Sequence, residues 1–238
     1  TELKKYKMFI DGGWVESDTK KTFETLNPEN NKPWAIVPEA SAKDVDKAVK
    51  AAQKAFEGEW SKLFPKERAK YLKAIAEQLR ENAEILGKIE TIDTGKLFKE
   101  TKTQANYIAE YYDYYAGLAD KVEGTVLPID KPDMQVITTR VPIGVVAAII
   151  PWNSQMLLTA VKLAPALAMG NTVVIKSSEL APATLFEFAK LIEKVGIPKG
   201  VVNIVSGFGE PCGRALTSHK LVERVAFTGG PETARHII

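Results

Sequence analysis

Residues 143–150 read IGVVAAII, and this almost unbroken apolar run decides the fold. Three shorter runs follow it: TVVI at 172–175, VVNIV at 201–205 and RVAF at 224–227, with segments of helical spacing between them. Strands buried on both faces are apolar at successive positions, and strands that alternate with helices pair in parallel. The sequence therefore predicts an α/β fold with a Rossmann-like parallel sheet and flanking helices. Such a sheet binds ligands outside the carboxyl ends of its strands.

The chain ahead of this sheet is predicted to be mainly helical. Ser41 and Asp44 have the spacing of a capping box, and Pro65 suits the first turn of a second helix. A longer helix is predicted at about 99–118. Within the sheet region, residues 182–195 have an apolar stripe followed by Gly-Ile-Pro, which predicts a helix with a glycine stop.

Two extended segments interrupt this pattern. Residues 8–14 alternate in polarity around Gly12 and Gly13, which predicts a hairpin at a sheet edge. Residues 122–142 alternate around several prolines, which favours an extended arm over a core strand. We expect the arm to be inserted within a nucleotide-binding domain spanning residues 1–238 and to contact another subunit.

The bulk composition excludes several classes of protein. The 238 residues are 45% hydrophobic and 26% charged, and the net charge of +2 offers no field to gather nucleic acid or a membrane surface. We therefore expect a small-molecule partner. The single cysteine allows neither an intrachain disulfide nor a thiolate zinc cluster, and no metal site is expected. The chain shows no secretory signal and no apolar run of roughly 20 residues. These observations favour the cytoplasm, with a removed transit peptide as the open alternative.

The turn after the first strand, IIPWNSQ at 149–155, presents Asn153 at the ligand-binding edge. A side-chain amide there is a neutral donor suited to an oxyanion that forms during attack on a carbonyl. Asparagine is also a common residue at helix N-caps, and position alone favours that plainer interpretation.

The second strand ends in VVIKSSE, which places Lys176 and Glu179 in the following loop. A carboxylate after a strand accepts the hydroxyl groups of an adenosine ribose and repels a 2′-phosphate. Lys176 would hold the ribose or a phosphate from the other side. The alternative is a solvated strand end, which the pair alone does not exclude.

Two glycine-bearing turns follow the later strands. SGFGEPCG at 206–213 places Gly209 and Gly213 where the backbone comes close to a neighbour, but its spacing is one residue longer than the dinucleotide fingerprint. AFTGGPE at 226–232 ends with Gly229 and Gly230 before a helix that starts at a proline, which would leave amide groups free for a pyrophosphate. Each turn taken alone could be an ordinary tight turn.

Cys212 is the only thiol in the chain. A cysteine near a helix N-terminus can have a lowered pKa and act as a nucleophile. No base adjoins it in sequence, so the favoured interpretation is a small buried thiol.

Together these segments resemble the aldehyde dehydrogenase superfamily, over the range from Met8 to the end of the chain. The stretches that carry the resemblance are PWN, VKLAPALAMGNTVVIKSSE, GIPKGVVNIVSGFG and VAFTGGPE, in the order and spacing of the family. The resemblance implies oxidation of a small aldehyde to a carboxylic acid, with NAD as cofactor and NADP as the alternative. It also implies a homodimer or homotetramer, assembled through the arm.

The resemblance also assigns roles to residues. It makes Asn153 the oxyanion donor and Lys162 a residue with a structural or proton-relay role. It places the cofactor against Ile149, Ile150, Pro151, Trp152, Lys176, Ser178, Glu179, Gly209, Gly213, Phe227, Thr228, Gly229, Gly230 and Thr233.

In the family's mechanism a cysteine attacks the aldehyde to give a thiohemiacetal, which is oxidised to a thioester and then hydrolysed. The resemblance implies that this cysteine and its glutamate base lie beyond the position matched by Ile238, so the domain is expected to be incomplete. Two departures also stand out: PWNSQ replaces the common PWNFP, and Gly230 replaces a serine. The competing hypothesis is a non-catalytic nucleotide-binding or interaction protein that is complete at 238 residues.

Overall fold

The computed structural model describes residues 3–238, which form three sheets and eight α-helices. The amino-terminal strands are β1 (Lys4–Lys5), β2 (Met8–Ile10), β3 (Gly13–Val15), β4 (Thr22–Asn27) and β5 (Lys32–Pro38). Four helices and a hairpin follow: α1 (Ala42–Glu57), α2 (Pro65–Glu81), α3 (Ala83–Thr94), α4 (Phe98–Leu118), β6 (Val126–Leu127) and β7 (Val136–Ile137). The remaining elements are β8 (Val145–Ile149), α5 (Gln155–Ala168), β9 (Thr172–Lys176), α6 (Ala183–Val195), β10 (Val202–Val205), α7 (Arg214–Thr217), β11 (Val222–Phe227) and α8 (Pro231–Ile237).

The main sheet has six strands in the order β11-β8-β9-β10-β2-β3. Strands β11, β8, β9 and β10 are parallel, which confirms the α/β fold predicted from the four apolar runs. The chain runs outward from β8 through β9 to β10 and then returns to place β11 on the other side of β8. The strand order therefore reverses between β8 and β11, and ligands bind at such a switch point in open α/β sheets.

Strand β8 is held at its start by a buried side chain. Asn171 Oδ1 accepts hydrogen bonds from the backbone N–H groups of Ile143 (2.8 Å) and Gly144 (3.1 Å). Gly144 has φ +125°, a conformation that glycine adopts at little cost. The strand then runs through the core, where Val145, Ala147 and Ala148 are fully buried.

Strands β2 and β3 add an antiparallel edge to the parallel part of the sheet. They form the hairpin predicted for residues 8–14, with Phe9 opposite Trp14 and opposite Ile204 of β10. The backbone N–H of Asp11 donates to Asn203 Oδ1 at 2.9 Å, across 192 residues of sequence. The first part of the chain is thereby joined to the third strand of the parallel set.

The prediction of a mainly helical amino-terminal region is wrong in part. Strands β1, β5 and β4 form a separate three-stranded sheet ahead of α1. Four of the six residues of β4 are polar and its one buried residue is Thr25, so it lacks the apolar face that makes a strand recognisable from sequence. The predicted helices lie where they were expected, with α6 beginning at Ala183 after Pro182 as its N-cap, but α3 was not predicted.

The capping box of α1 is confirmed at atomic level. Ser41 Oγ accepts a hydrogen bond from the backbone N–H of Asp44 (3.2 Å), and Asp44 Oδ2 accepts one from the backbone N–H of Ser41 (2.9 Å). These two bonds satisfy donors that the first helical turn leaves free.

The segment at 122–142 contains an exposed antiparallel hairpin, with Val126 opposite Ile137. It extends from the end of α4 to the residues that precede β8. No helix within residues 3–238 combines the length and the apolar character needed to span a bilayer.

Candidate functional site

A cleft of about 920 Å³ opens at the carboxyl ends of β8, β9 and β11, beside the switch point of the sheet. Its walls contain Asn153 and every residue that the sequence assigned to the cofactor. The lining residues are Ile149, Ile150, Pro151, Trp152, Asn153, Lys176, Ser178, Glu179, Leu180, Gly209, Glu210, Gly213, Arg214, Thr217, Phe227, Thr228, Gly229, Gly230, Thr233, His236 and Ile237. Segments that are up to about 90 residues apart in sequence are therefore brought together at one edge of the sheet.

Asn153 lies just outside α5, on the wall of the cleft. The N-cap of α5 is Ser154, so the plainer interpretation of Asn153 as the helix cap is wrong. Asn153 is exposed, and Trp152 beside it is 49% exposed. The amide group of Asn153 is thus available to a ligand in the cleft.

Lys176 and Glu179 form an ion pair at the end of β9, with Nζ and Oε2 3.0 Å apart. Lys176 is only 5% exposed, whereas the side chain of Glu179 is about one-third exposed. A buried lysine of this kind does not belong to a freely solvated strand end, so that alternative is wrong for Lys176. The pair leaves one carboxylate oxygen of Glu179 free to accept ligand hydroxyl groups.

Lys162 does not line the cleft but contacts a residue that does. Its Nζ lies 2.6 Å from Thr228 Oγ1, and the backbone N–H of Thr228 donates to the Ile149 carbonyl at 3.3 Å. Burial lowers the pKa of Lys162, because the ammonium form loses hydration there. Thr228 is the cleft residue to which Lys162 donates a hydrogen bond.

The glycine-bearing turns leave open space at the cleft. A Cβ added at Gly209 or Gly230 would meet no protein atom within 4 Å, whereas one added at Gly229 would lie 2.5 Å from the Phe227 ring. Gly209 and Gly213 bound a short turn that leads into α7, in which Glu210 has an extended backbone conformation. Gly229 therefore allows the backbone to pass close to Phe227, while Gly209 and Gly230 keep the cleft wide because they have no side chain.

Cys212 is fully buried, which confirms the expectation of a buried thiol. Burial raises its pKa to about 12, because the thiolate would lose hydration in an apolar environment. At neutral pH almost no reactive thiolate is present, so Cys212 is a poor nucleophile.

Several residues of the cleft were missed by the sequence analysis. Arg214 donates to Glu210 Oε1 at 2.9 Å across the start of α7, and both side chains line the cleft. His236, from α8, lines it as well. The Glu-x-x-x-Arg spacing after a glycine turn could have predicted the pair of Glu210 and Arg214. No local sequence pattern indicates His236. Among residues 3–238, no group of three or more His, Cys, Asp or Glu side chains is placed to hold a metal ion.

Comparison with known proteins gives one consistent match. The family model described as "Aldehyde dehydrogenase family" matches residues 14–238. A (Z)-2-((N-methylformamido)methylene)-5-hydroxybutyrolactone dehydrogenase from Acinetobacter baylyi is 51% identical over 99% of the chain and 48% of its own length. Betaine aldehyde dehydrogenase from Bacillus subtilis is 43% identical over 97% of the chain and 47% of its own length.

Solved structures show the same similarity. An NAD+ complex of aldehyde dehydrogenase from Bacillus cereus has a TM-score of 0.96 and 40% identity, over 98% of this chain and 48% of that one. A betaine aldehyde dehydrogenase variant from Staphylococcus aureus, in complex with NAD+, has a TM-score of 0.95 and 41% identity, over 99% of this chain and 48% of that one. The chain thus spans about half the length of the relatives it matches.

Proposed function

The chain belongs to the aldehyde dehydrogenase family, and from that premise we propose that it is the cofactor-binding part of an enzyme that oxidises an aldehyde to a carboxylic acid. The resemblance inferred from the sequence is confirmed by the family match. We propose NAD+ as the cofactor, with NADP+ as the alternative, because NAD+ is present in the similar solved structures.

The observation that carries this proposal is the convergence of Asn153 and all the residues assigned to the cofactor on one cleft at the switch point. A cleft of about 920 Å³ falls within the usual range of small-molecule and cofactor sites, roughly 300–1,000 Å³. The open space at Gly209 and Gly230 fits an extended ligand, since side chains there would fill the cleft.

Within this site, we assign Glu179 and Lys176 to the adenosine ribose. The free carboxylate oxygen of Glu179 would accept ribose hydroxyl groups, while Lys176 holds the carboxylate in place at 3.0 Å. The same negative charge would repel a 2′-phosphate, which supports NAD+ over NADP+. The cofactor, when bound, supplies the oxidising power of the reaction by accepting two electrons from the substrate carbon.

We assign Asn153 to the oxyanion that develops when the aldehyde is attacked. Its amide donates a hydrogen bond without changing protonation state, and donors preorganised in this way stabilise the transition state. The thiohemiacetal and thioester would form on a cysteine outside these 238 residues, because Cys212 is the only cysteine present and is buried with a raised pKa.

The wider assignments are also proposals. We propose that the exposed hairpin of β6 and β7 joins subunits into a homodimer or homotetramer, and that residues 1–238 form one NAD-binding domain with this arm inserted at 122–142. The small net charge favours a small aldehyde over nucleic acid or a membrane as partner. The single cysteine favours a reducing compartment, and we propose the cytoplasm.

The test is an activity assay on the natural polypeptide that contains this chain. It would be supplied with a panel of aldehydes, including betaine aldehyde, and with NAD+ or NADP+, while reduced cofactor and acid product are measured together. Stoichiometric formation of both products supports the proposal. Cofactor binding without turnover of any aldehyde would instead favour the non-catalytic nucleotide-binding protein.

A further inference from the structure

A lysine distant in sequence holds the turn that carries Asn153. Lys96, in the turn between α3 and α4, donates a hydrogen bond from Nζ to Ser154 Oγ at 2.7 Å. From this contact we propose that Lys96, acting through Ser154, is a positioning residue that fixes the orientation of Asn153 in the cleft. The inference rests on the function proposed above, since it assigns Asn153 to the substrate oxyanion.

Ser154 is free to accept this bond because it does not cap its own helix. A serine at an N-cap usually accepts a hydrogen bond from the second or third N–H of the helix. Ser154 has φ −160° and ψ 61°, and its side chain makes no capping hydrogen bond. The turn that carries Asn153 thus lacks the usual local side-chain anchor and is held instead by a cation 58 residues away in sequence.

The residue that follows supplies no polar anchor of its own. Gln155 is fully buried, and neither its Oε1 nor its Nε2 has a hydrogen-bond partner within the described residues. Gln155 therefore fixes its helix by packing alone. The bond to Ser154 is charge-assisted, which makes it stronger than a bond between neutral groups.

Lys96 is itself held in place by two further acceptors. Its Nζ lies 3.5 Å from Glu90 Oε1 and 3.5 Å from Gln104 Oε1, so the three ammonium protons face three acceptors. The side chain of Glu90 is only 3% exposed, which fixes that carboxylate within α3. The preceding Gly95 has φ +78°, and a Cβ added to it would lie 3.3 Å from Pro28.

The consequence for catalysis follows from geometry. Asn153 immediately precedes Ser154 in the chain, so any rotation of the turn carries its amide with it. A displacement of about 1 Å at a reacting group can cost about 100-fold in rate. Loss of the Lys96 bond should therefore lower turnover without removing any group that contacts the cofactor.

The first experiment uses the natural full-length polypeptide and variants at Lys96, Ser154 and Asn153. Lys96→Met and Ser154→Ala should each lower kcat about 10- to 100-fold, with the KM for NAD+ changed by less than about twofold. The double variant should be no worse than the more impaired single variant, and Lys96→Arg should recover part of the loss. Lys99→Met, which removes an exposed lysine of the same region, is the matched control and should behave like the parent.

Epistasis with Asn153 separates positioning from a general structural role. In an Asn153→Ala background, Lys96→Met should cause no further loss of kcat, because the group that Lys96 positions is already absent. Independent, multiplicative losses from Lys96→Met and Asn153→Ala would overturn the proposal. So would a Lys96→Met variant with parental kcat.

A second readout needs no activity. In the natural polypeptide labelled with fluorotryptophan, the Trp152→Phe and Trp60→Phe variants identify the fluorine NMR lines of these two residues. Lys96→Met should shift or split the Trp152 line and leave that of the fully buried Trp60 unchanged, while Lys99→Met should change neither. If the parent oxidises no aldehyde, the proposed function fails, but the NMR experiment still tests whether Lys96 positions the turn that carries Asn153. An unchanged Trp152 line would overturn it.

Discussion

Lys162 Nζ and Thr228 Oγ1 lie 2.6 Å apart and join α5 to the loop that follows β11. α5 follows β8 and this loop follows β11, the two strands between which the strand order reverses. Lys162 is partly buried, and its pKa is lowered because its ammonium form loses hydration.

We therefore expect the replacement of Lys162 to raise the melting temperature and to lower turnover. The folded state disfavours the charged lysine, so at neutral pH the Lys162→Met variant should melt at a higher temperature than the parent. For the parent, the contribution of Lys162 to the free energy of unfolding rises as the pH increases from the lowered pKa of the folded state to the higher pKa of the unfolded state. In that interval the folded chain has already released the proton, while the unfolded chain still holds it. Turnover should fall about 100-fold or more if Lys162 relays a proton through Thr228.

Calorimetric melting and steady-state kinetics measure the two effects separately. Thr228→Val provides the matched variant, because it keeps the shape of the side chain and removes only the hydroxyl group. A Thr228→Val enzyme with parental turnover would exclude a relay through this pair.

Asn153→Ala should lower turnover about 100- to 1,000-fold, the usual cost of losing one oxyanion donor. The dissociation constant for NAD+ should change by less than about twofold, because the amide contacts the developing charge and not the adenosine. Rapid kinetics of the full-length protein and calorimetric titration with NAD+ give the two values. Unchanged turnover would exclude the oxyanion role, and a loss confined to NAD+ affinity would move Asn153 to the cofactor site.

Glu179→Gln should reduce the preference for NAD+ over NADP+ by about tenfold, which corresponds to about 1.4 kcal/mol of differential binding free energy. The variant removes the charge that repels a 2′-phosphate and leaves the buried Lys176 without its ionic partner. Titration of each nucleotide into parent and variant measures the ratio of affinities. Glu210→Gln, which also removes a carboxylate from the cleft, is the control and should preserve the ratio. Equal ratios in parent and Glu179→Gln would refute the ribose assignment.

Asp93 should make stability depend on pH. It is buried in α3, where its carboxylate accepts hydrogen bonds from Thr25 Oγ1 (2.9 Å) and from the backbone N–H of Ala183 (2.8 Å). Burial nevertheless raises its pKa to about 6. Between pH of about 4 and 6 the folded chain holds this proton and the unfolded chain does not, so the free energy of unfolding should decrease as the pH rises, by on the order of 3 kcal/mol.

Denaturant unfolding of the parent and of Asp93→Asn at several pH values isolates this contribution. The variant keeps an acceptor oxygen but cannot titrate, so the difference between the two stabilities should change across that interval. A constant difference would show that Asp93 ionises at the same pH in both states.

The parts of the fold that the sequence predicted depend on local patterns. The four apolar runs gave the parallel sheet, and Ser41 and Asp44 gave the start of α1, because burial on both faces and helix capping each involve neighbouring residues. Strand β4 was missed because four of its six residues are polar. Its apolar alternation is too weak to distinguish a strand from a loop.

Several contacts of the candidate site join residues that are far apart in sequence, and these could not be predicted. The residues proposed for the cofactor came from the resemblance to the family, and they lie at or after the carboxyl ends of strands that share one sheet edge. The bonds from Lys162 to Thr228 and from Lys96 to Ser154 join residues 66 and 58 positions apart, and no periodicity in the chain specifies them. The exclusion of Asn153 from the helix cap likewise required the backbone angles of Ser154.

The pairing of β2 with β10 also bears on how the protein is made. Asp11 bonds to Asn203 across 192 residues, so the amino-terminal hairpin leaves the ribosome long before its partner strand has been synthesised. At about 5–20 residues per second, that interval lasts about 10–40 s. Met8, Phe9 and Ile10, all buried in the finished sheet, remain without their partner throughout this time. During this interval the nascent chain carries an apolar strand with one unpaired edge, a state in which chaperone binding competes with aggregation.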